Sequence, residues 1–312
     1  MQEQIRNFAK QLDWPPVVEN SGELFKTNKF IVCGLGGSAL AAGLLKVAEP
    51  NLDLLIHRDY GLPRVPEYFL RESLIILSSY SGNTAEVLDA GREALARGLN
   101  LAVIATGGEL LDWAKSNNLA HVVLSAGLQP RMALGYACKA LGALMSDEKM
   151  LATLSTTVLA AASLEAMGEA LGAKLRERIP VIYSSNKNYN LAYHWKIACN
   201  ETGKTPAYAN ACPELDHNEL ESDFSGQNFY FIFLRDETGD DARITKSLDK
   251  IVELYKSKNL NTEVIELAGA TVWSKIFHSM ILANWTALQL AKLNGREPEP
   301  VLVVEEFKKL IS

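Results

Sequence analysis

A run of hydroxyl side chains follows a short apolar segment in the first half of the chain. Residues 74–77, LIIL, lead directly into four such side chains at Ser78, Ser79, Ser81 and Thr84. Gly82 between them lets the backbone approach a ligand closely. Asn83 followed by Glu86 predicts that a helix begins inside this run, and the first N–H groups of a helix have no internal partner. The stretch could therefore hold a phosphate monoester, although serine and threonine are also common in ordinary capping turns.

A second loop of similar character, GLGGSA at residues 34–39, joins another apolar segment to a predicted helix. Gly34, Gly36 and Ala39 fit the pattern G-x-G-x-x-A of dinucleotide-binding turns, with Asp59 as the acid that would bind a ribose. Glycines of this kind also occur in tight turns that need a positive φ. Two polar loops at neighbouring strand ends suit one sugar phosphate at least as well as a dinucleotide.

Short apolar segments alternate with helical patterns along most of the chain, which predicts an α/β fold with parallel sheets covered on both faces. The predicted strands are 30–34, 52–57, 74–79, 101–106, 121–124, 180–185, 205–210, 229–234 and 262–267. Residues 131–175 instead predict two long helices interrupted near 146–149. Because the strand–turn–helix plan then resumes, the sequence indicates two domains, 1–153 and 154–312.

Composition narrows the class of protein. The chain has 312 residues, 48% of them hydrophobic, with a formal net charge of −6. A mildly acidic surface of mixed sign gives no reason to expect nucleic acid or a membrane as partner. Its four cysteines lack C-x-x-C spacing and its five histidines form no close cluster, so we expect buried thiols, a cytoplasmic protein and no metal site.

Several longer stretches resemble one known family. GLGGSALAA and SSYSGNTAEVL are similar to the sugar isomerase (SIS) domain, which binds phosphosugars. QPRMALGY, NETGKTPAYANACPELDHNELE and the terminal VVEEFKKL resemble the bifunctional phosphoglucose/phosphomannose isomerases. The resemblance implies two SIS-type domains, each a doubly wound, flavodoxin-like parallel sheet, assembled as a homodimer. It also implies cofactor-free interconversion of glucose 6-phosphate and mannose 6-phosphate with fructose 6-phosphate.

The resemblance carries functional roles to matching positions. The phosphate would be held by Gly36, Gly37, Ser38, Ser79, Ser81 and Thr84. Glu201 would be the base, Arg131 would face the reacting carbons, and His217 would be contributed across the dimer interface. Lys308 is the best match for the family's C-terminal lysine, with Lys292 and Lys309 as alternatives. A threonine that the family links to the mannose epimer has no clear counterpart here.

The chemistry of an aldose–ketose isomerase suits these residue types. A carboxylate can carry a proton between C2 and C1 through a cis-enediol, and a guanidinium stabilises the enediolate. Histidine titrates near neutral pH and can move a proton between O5 and O1. Each residue also has an ordinary interpretation: a surface charge for Glu201 and Arg131, an incidental loop histidine for His217, and an amphipathic helix for Lys308.

Two other functions fit parts of the same sequence. A non-catalytic SIS module that senses a phosphosugar would need Ser79, Ser81 and Thr84 but not the Glu201, His217 and Arg131 set. A nicotinamide-dependent oxidoreductase would use Gly34, Gly36 and Ala39 instead, and would bind its cofactor measurably.

Overall fold

The computed structural model describes residues 1–159 and 161–311 and divides into two compact units. One unit comprises Asn7–Val158, and the other comprises residues 1–6 together with the chain from Leu159 onward. The division therefore falls a few residues after the predicted boundary at 153/154. Helix α1 (Gln2–Arg6) goes with the second unit because the Arg6 guanidinium binds the Glu165 carboxylate at 2.6 Å.

The first unit alternates strands and helices as the sequence predicts. Its strands are β1 (Lys29–Cys33), β2 (Asp53–His57), β3 (Leu74–Ser78), β4 (Leu101–Ala105) and β5 (Ala120–Val123). Its helices are α2 (Lys10–Asp13), α3 (Gly37–Ala48), α4 (Glu67–Glu72), α5 (Ala85–Ala96), α6 (Gly108–Ser116), α7 (Leu134–Leu144) and α8 (Glu148–Ser155). Each of the five predicted strands is confirmed to within one residue at either end.

The strands of this unit form one parallel sheet in the order β2-β1-β3-β4-β5. Every residue of β3 and β4 is buried, so helices cover both faces of the sheet, as the unbroken apolar runs predict. After β1 the chain adds β2 at one side of β1. It then returns to the other side of β1, where it adds β3, β4 and β5 in turn. The point between β1 and β3, where the winding reverses, is where open α/β sheets bind ligands.

The prediction of two long helices over 131–175 is wrong in their number, because three helices form, whereas the predicted interruption near 146–149 is confirmed between α7 and α8. A 3₁₀ turn (Pro130–Met132) precedes α7, and α8 ends at Ser155, before α9 (Ala161–Lys174) begins in the second unit. Asp147 starts α8 with a cap that accepts a hydrogen bond from Met150 N at 2.9 Å. The apolar composition concealed the second break, between α8 and α9, because Ala, Leu and Met favour a helix.

The second unit repeats the winding of the first. Its strands are β6 (Ile179–Ser185), β7 (Tyr208–Cys212), β8 (Phe229–Arg235) and β9 (Asn261–Glu266), paired in parallel in the order β7-β6-β8-β9. Its remaining helices are α10 (Tyr189–Ile197), α11 (Ala242–Ser257), α12 (Val272–Leu293) and α13 (Leu302–Ile311). A reciprocal capping box between Thr271 and Ser274 starts α12.

All four cysteines are buried and unpaired, as expected for thiols of the core. Burial raises the pKa of Cys33 and of Cys199 to about 12, so both thiols stay protonated and unreactive at neutral pH. None of the described helices combines the length and the apolar character needed to cross a bilayer.

Candidate active site

The two polar loops of the first unit meet at the winding reversal between β1 and β3. Gly36 caps the start of α3 and Thr84 caps the start of α5, and neither cap makes a side-chain hydrogen bond to its helix. The partial positive charge of both helix N-termini is therefore left for a ligand. We call these two N-termini, together with the hydroxyls of Ser38, Ser79, Ser81 and Thr84, the hydroxyl cradle.

The hydrogen bonds within the cradle leave protons to donate. Ser79 Oγ lies 2.7 Å from Thr84 Oγ1 and accepts from Gly82 N at 3.1 Å. Since that hydroxyl pair has two protons and its mutual bond uses one, the other can go to a ligand. Ser38 Oγ accepts from Tyr80 N at 3.0 Å, which likewise leaves its own O–H as a donor. The cradle is thus a set of neutral donors suited to an anion.

Asn83 does not cap α5, contrary to the prediction from its spacing to Glu86. Thr84 occupies the cap position, and Asn83 Oδ1 instead accepts from Glu109 N, in the first turn of α6, at 3.0 Å. The turn around Gly82 also approaches the next loop closely, because a Cβ at Gly82 would lie 1.8 Å from Gly107 O. The cradle is therefore braced against the neighbouring loop after β4.

Arg131 enters the same region through a close backbone contact. A Cβ at Gly37 would lie 2.7 Å from the Pro130 carbonyl carbon and 2.8 Å from Arg131 N, so only glycine lets the 3₁₀ turn pack here. Arg131 is only 2% exposed. An arginine is rarely buried to this degree without a specific role, and the interpretation as a surface charge is wrong.

Glu201 lies in the second unit, on a turn that continues α10. Residues Ala198–Thr202 form a single π-helical turn, a feature often found at functional sites. Gly203 N bonds to Ala198 O at 3.0 Å and Asn200 Nδ2 bonds to Thr205 O at 2.9 Å, which fix the turn at both ends. Glu201 is partly exposed, at a position where its carboxylate can meet a ligand.

Glu201 lines a cavity of about 540 Å³. Its other lining residues are Asn200, Lys204, Arg296, Glu297, Pro300, Val301, Leu302, Val303 and Val304. Lys204, which sequence reasoning missed, adopts a left-handed conformation at φ 53°. Its Nζ donates to Glu201 O at 2.6 Å and also to Pro300 O, so it links the Glu201 turn to the segment leading into α13.

His217 and Lys308 lie outside the set of residues that line the Glu201 cavity. His217 is exposed and ends a short 3₁₀ turn (Glu214–His217) that follows β7. Lys308 is 62% exposed on α13 and pairs with Glu305 at 3.1 Å. In the second unit the structure thus joins Glu201 with Lys204, and the roles of His217 and Lys308 stay predictions.

The winding reversal of the second unit, between β6 and β8, has a different character. Ser185 Oγ donates to Asp240 Oδ1 at 2.7 Å, and Asn188 Nδ2 donates to the same oxygen at 3.1 Å. Burial, chiefly, raises the pKa of Asp240. Asp236 is buried and pairs with Lys275. This crevice is occupied by carboxylates that use the available hydroxyl and amide donors, so it offers no second cradle.

No group of three or more His, Cys, Asp or Glu side chains within residues 1–159 and 161–311 is arranged to hold a metal ion.

The chain is 30% identical over 307 residues to the bifunctional phosphoglucose/phosphomannose isomerase of Caldicellulosiruptor bescii, covering 91% of this chain and 90% of that one. The chain belongs to the bifunctional phosphoglucose/phosphomannose isomerase family. The enzyme of the same name from Aquifex aeolicus is 28% identical over 314 residues, covering 98% of this chain and 96% of the other. The similarity runs through both units.

Residues 165–311 match the model of the bacterial phospho-glucose isomerase C-terminal SIS domain. The fold also resembles the C-terminal domain of glucosamine-fructose-6-phosphate aminotransferase from Francisella tularensis, with a TM-score of 0.70 at 14% identity. That similarity covers 96% of each chain. At this identity it establishes the fold: α/β, with parallel sheets flanked by helices.

Proposed function

We propose that this protein is an isomerase that interconverts glucose 6-phosphate and mannose 6-phosphate with fructose 6-phosphate. The hydroxyl cradle at the β1/β3 winding reversal carries the proposal, because it provides neutral donors and two helix N-termini for a phosphate monoester. The names of the relatives that match nearly the whole chain specify the hexoses. The reaction moves a proton between adjacent carbons and requires no cofactor.

Glu201 is the base of the proposed reaction. Its carboxylate takes the proton from C2 of the aldose and returns it to C1 through the cis-enediol. The π-helical turn and the hydrogen bonds around it fix the backbone that carries this side chain. A mannose-derived substrate reaches the same enediol after rotation about C2–C3.

Arg131 stabilises the negative charge of the enediolate. A buried guanidinium is charged at any working pH and is more effective there than in water. His217, contributed by a second copy of the chain, moves a proton between O5 and O1, and Lys308 assists ring opening. The resemblance of the surrounding motifs supports these last two roles, and Lys292 or Lys309 is the alternative to Lys308.

We further propose that each compact unit is one SIS-type domain, with the boundary between residues 153 and 159. A cytoplasmic homodimer follows from the same family resemblance. The strand orders β2-β1-β3-β4-β5 and β7-β6-β8-β9, which repeat one winding, support a two-domain description.

A pair of coupled assays tests the proposal. Glucose 6-phosphate and mannose 6-phosphate, supplied separately, should each yield fructose 6-phosphate, detected by a reporter enzyme for that product. Phosphosugar binding with no turnover would instead support the sensing module. Stoichiometric binding of NAD or NADP would support the oxidoreductase.

Metal removal should leave the activity intact. After dialysis against a strong chelator we expect kcat to remain within about twofold of its starting value, because a carboxylate, a guanidinium and an imidazole suffice for the proton transfers. The measurement is the same coupled assay before and after dialysis. Activity that disappears and returns with added zinc would contradict this mechanism.

The double substitution Ser79→Ala with Thr84→Ala should weaken phosphate binding. It removes the hydroxyl pair joined at 2.7 Å, and hydrogen bonds to a charged group are each worth about 1.5–3 kcal/mol. We therefore expect KM for both hexose phosphates to rise at least about tenfold. Ser116→Ala, which removes a hydroxyl on α6 that donates to Asp112 O, is the control. An unchanged KM in the double variant would remove this loop from the site.

A further inference from the structure

Tyr80 lies inside the hydroxyl run and is bonded to the loops after two other strands of the first unit. Its N–H donates to Ser38 Oγ, in the loop after β1, at 3.0 Å. Its carbonyl accepts from Thr106 N at 3.0 Å and from Thr106 Oγ1 at 2.7 Å, in the loop after β4. The backbone of Tyr80 therefore fixes the middle of the cradle to its neighbours on both sides.

The side chain of Tyr80 extends this connection to the segment after β5. Its hydroxyl donates to Ser125 O at 2.9 Å and accepts from Leu128 N at 3.0 Å. Burial raises the pKa of Tyr80, so the hydroxyl stays protonated and keeps its donor role at neutral pH. Residues 125–127 are exposed, so the Tyr80 hydroxyl holds the backbone of a segment that lies at the surface.

The segment held by Tyr80 leads directly to Arg131. Leu128 is followed by the 3₁₀ turn, in which Met132 N bonds to Gln129 O at 2.8 Å. On its other side this turn packs against Gly37 at the start of α3. The backbone of Arg131 is thus held from two sides. Gly37, in the loop after β1, contacts it directly. Tyr80, in the loop after β3, holds Leu128, three residues before it.

We propose that Tyr80 is a positioning residue that holds Arg131 in a fixed place relative to the phosphate-binding loops. The proposal rests on the isomerase function given above. A hexose phosphate gripped at its phosphate presents C1 and C2 at a set distance from the cradle, so the guanidinium must be placed with the same accuracy. Tyr80 provides this through its two hydroxyl hydrogen bonds.

The substitution Tyr80→Phe tests the proposal, since it removes one oxygen and keeps the ring. We expect kcat for fructose 6-phosphate formation to fall about 10- to 100-fold, the loss typical of a small misplacement of a catalytic group. The Kd for inorganic phosphate, measured by calorimetry, should stay within about twofold, because the cradle donors remain. Tyr68→Phe, on the exposed surface of the same unit, is the matched control and should change neither quantity.

A double-mutant cycle with Arg131→Lys separates positioning from general support of the fold. If Tyr80 acts through Arg131, adding Tyr80→Phe to Arg131→Lys should lower kcat much less than it does in the wild type. Full additivity would overturn the inference, and so would an unchanged kcat or a phosphate Kd that weakens as much as kcat falls. A wild-type protein that isomerises neither hexose would overturn the proposed function instead. In that event, hydrogen exchange of the Leu128 amide still tests the bond from Leu128 N to the Tyr80 hydroxyl. Faster exchange in Tyr80→Phe than in the wild type would establish that bond, and unchanged exchange would refute it.

Discussion

Glu201→Gln is expected to lower kcat about 10²- to 10⁴-fold while the Kd for substrate stays near the wild-type value. Glutamine keeps the size and the hydrogen-bonding capacity of the side chain but cannot accept a proton at working pH. General-base catalysis contributes a factor in this range. The measurement is single-turnover conversion of glucose 6-phosphate, with binding determined separately by calorimetry, so that the chemical step and affinity are resolved.

Glu297 provides a control for the Glu201 substitution, because its carboxylate lines the same cavity and is exposed. Glu297→Gln removes the same charge from the same cavity and should lower kcat no more than a few-fold. Equal losses in the two variants would mean that the charge of the cavity matters and that no specific base has been identified. Normal turnover by Glu201→Gln would place the base elsewhere.

Gly82→Ala should both destabilise the first unit and weaken phosphate binding. Gly82 has φ 72°, a conformation that costs a residue with a Cβ about 1–2 kcal/mol. The added Cβ would also lie 1.8 Å from Gly107 O, and overpacking of this kind typically costs about 1–3 kcal/mol more. We expect a total loss of about 2–5 kcal/mol in denaturant unfolding, with a Kd for inorganic phosphate raised at least about tenfold.

Gly98→Ala separates the two contributions to that loss. Gly98 has φ 64° at the end of α5, and a Cβ there would have no heavy atom within 4 Å. It therefore carries the conformational cost alone and should lose about 1–2 kcal/mol with unchanged phosphate binding. Equal stability and equal phosphate binding in the two variants would contradict the close contact between the loops after β3 and β4.

The strands were predictable because each is a short, buried apolar run ended by polar or glycine residues. The one appreciable offset is β7, predicted over 205–210 and observed at Tyr208–Cys212. Thr205 is taken up by the Glu201 turn, where its N–H bonds to Cys199 O at 3.0 Å, and Pro206 has no N–H for a sheet. A local pattern could not reveal this competition for the backbone.

The features that escaped prediction depend on contacts between distant parts of the sequence. Asn83 has the spacing of a cap for its own helix, but its oxygen is used by Glu109 on the next helix. The burial of Arg131 depends on Gly37, and the link from Lys204 to Pro300 joins residues 96 positions apart. The one sequence feature that could have drawn attention to Lys204 is its position three residues after Glu201. Helix and strand periodicities do not assign a role to a residue at that spacing.

The carboxylates at the winding reversal between β6 and β8 affect how many phosphate monoesters one chain can bind. Asp240 accepts from the Ser185 hydroxyl and the Asn188 amide, and Asp236 pairs with Lys275, so the donors that a dianion would need at this place are already used. The two units therefore share a topology without having equivalent binding sites. We expect each chain to bind a single phosphate monoester at these two crevices. A dimer of such chains would accordingly saturate at two molecules of hexose phosphate rather than four.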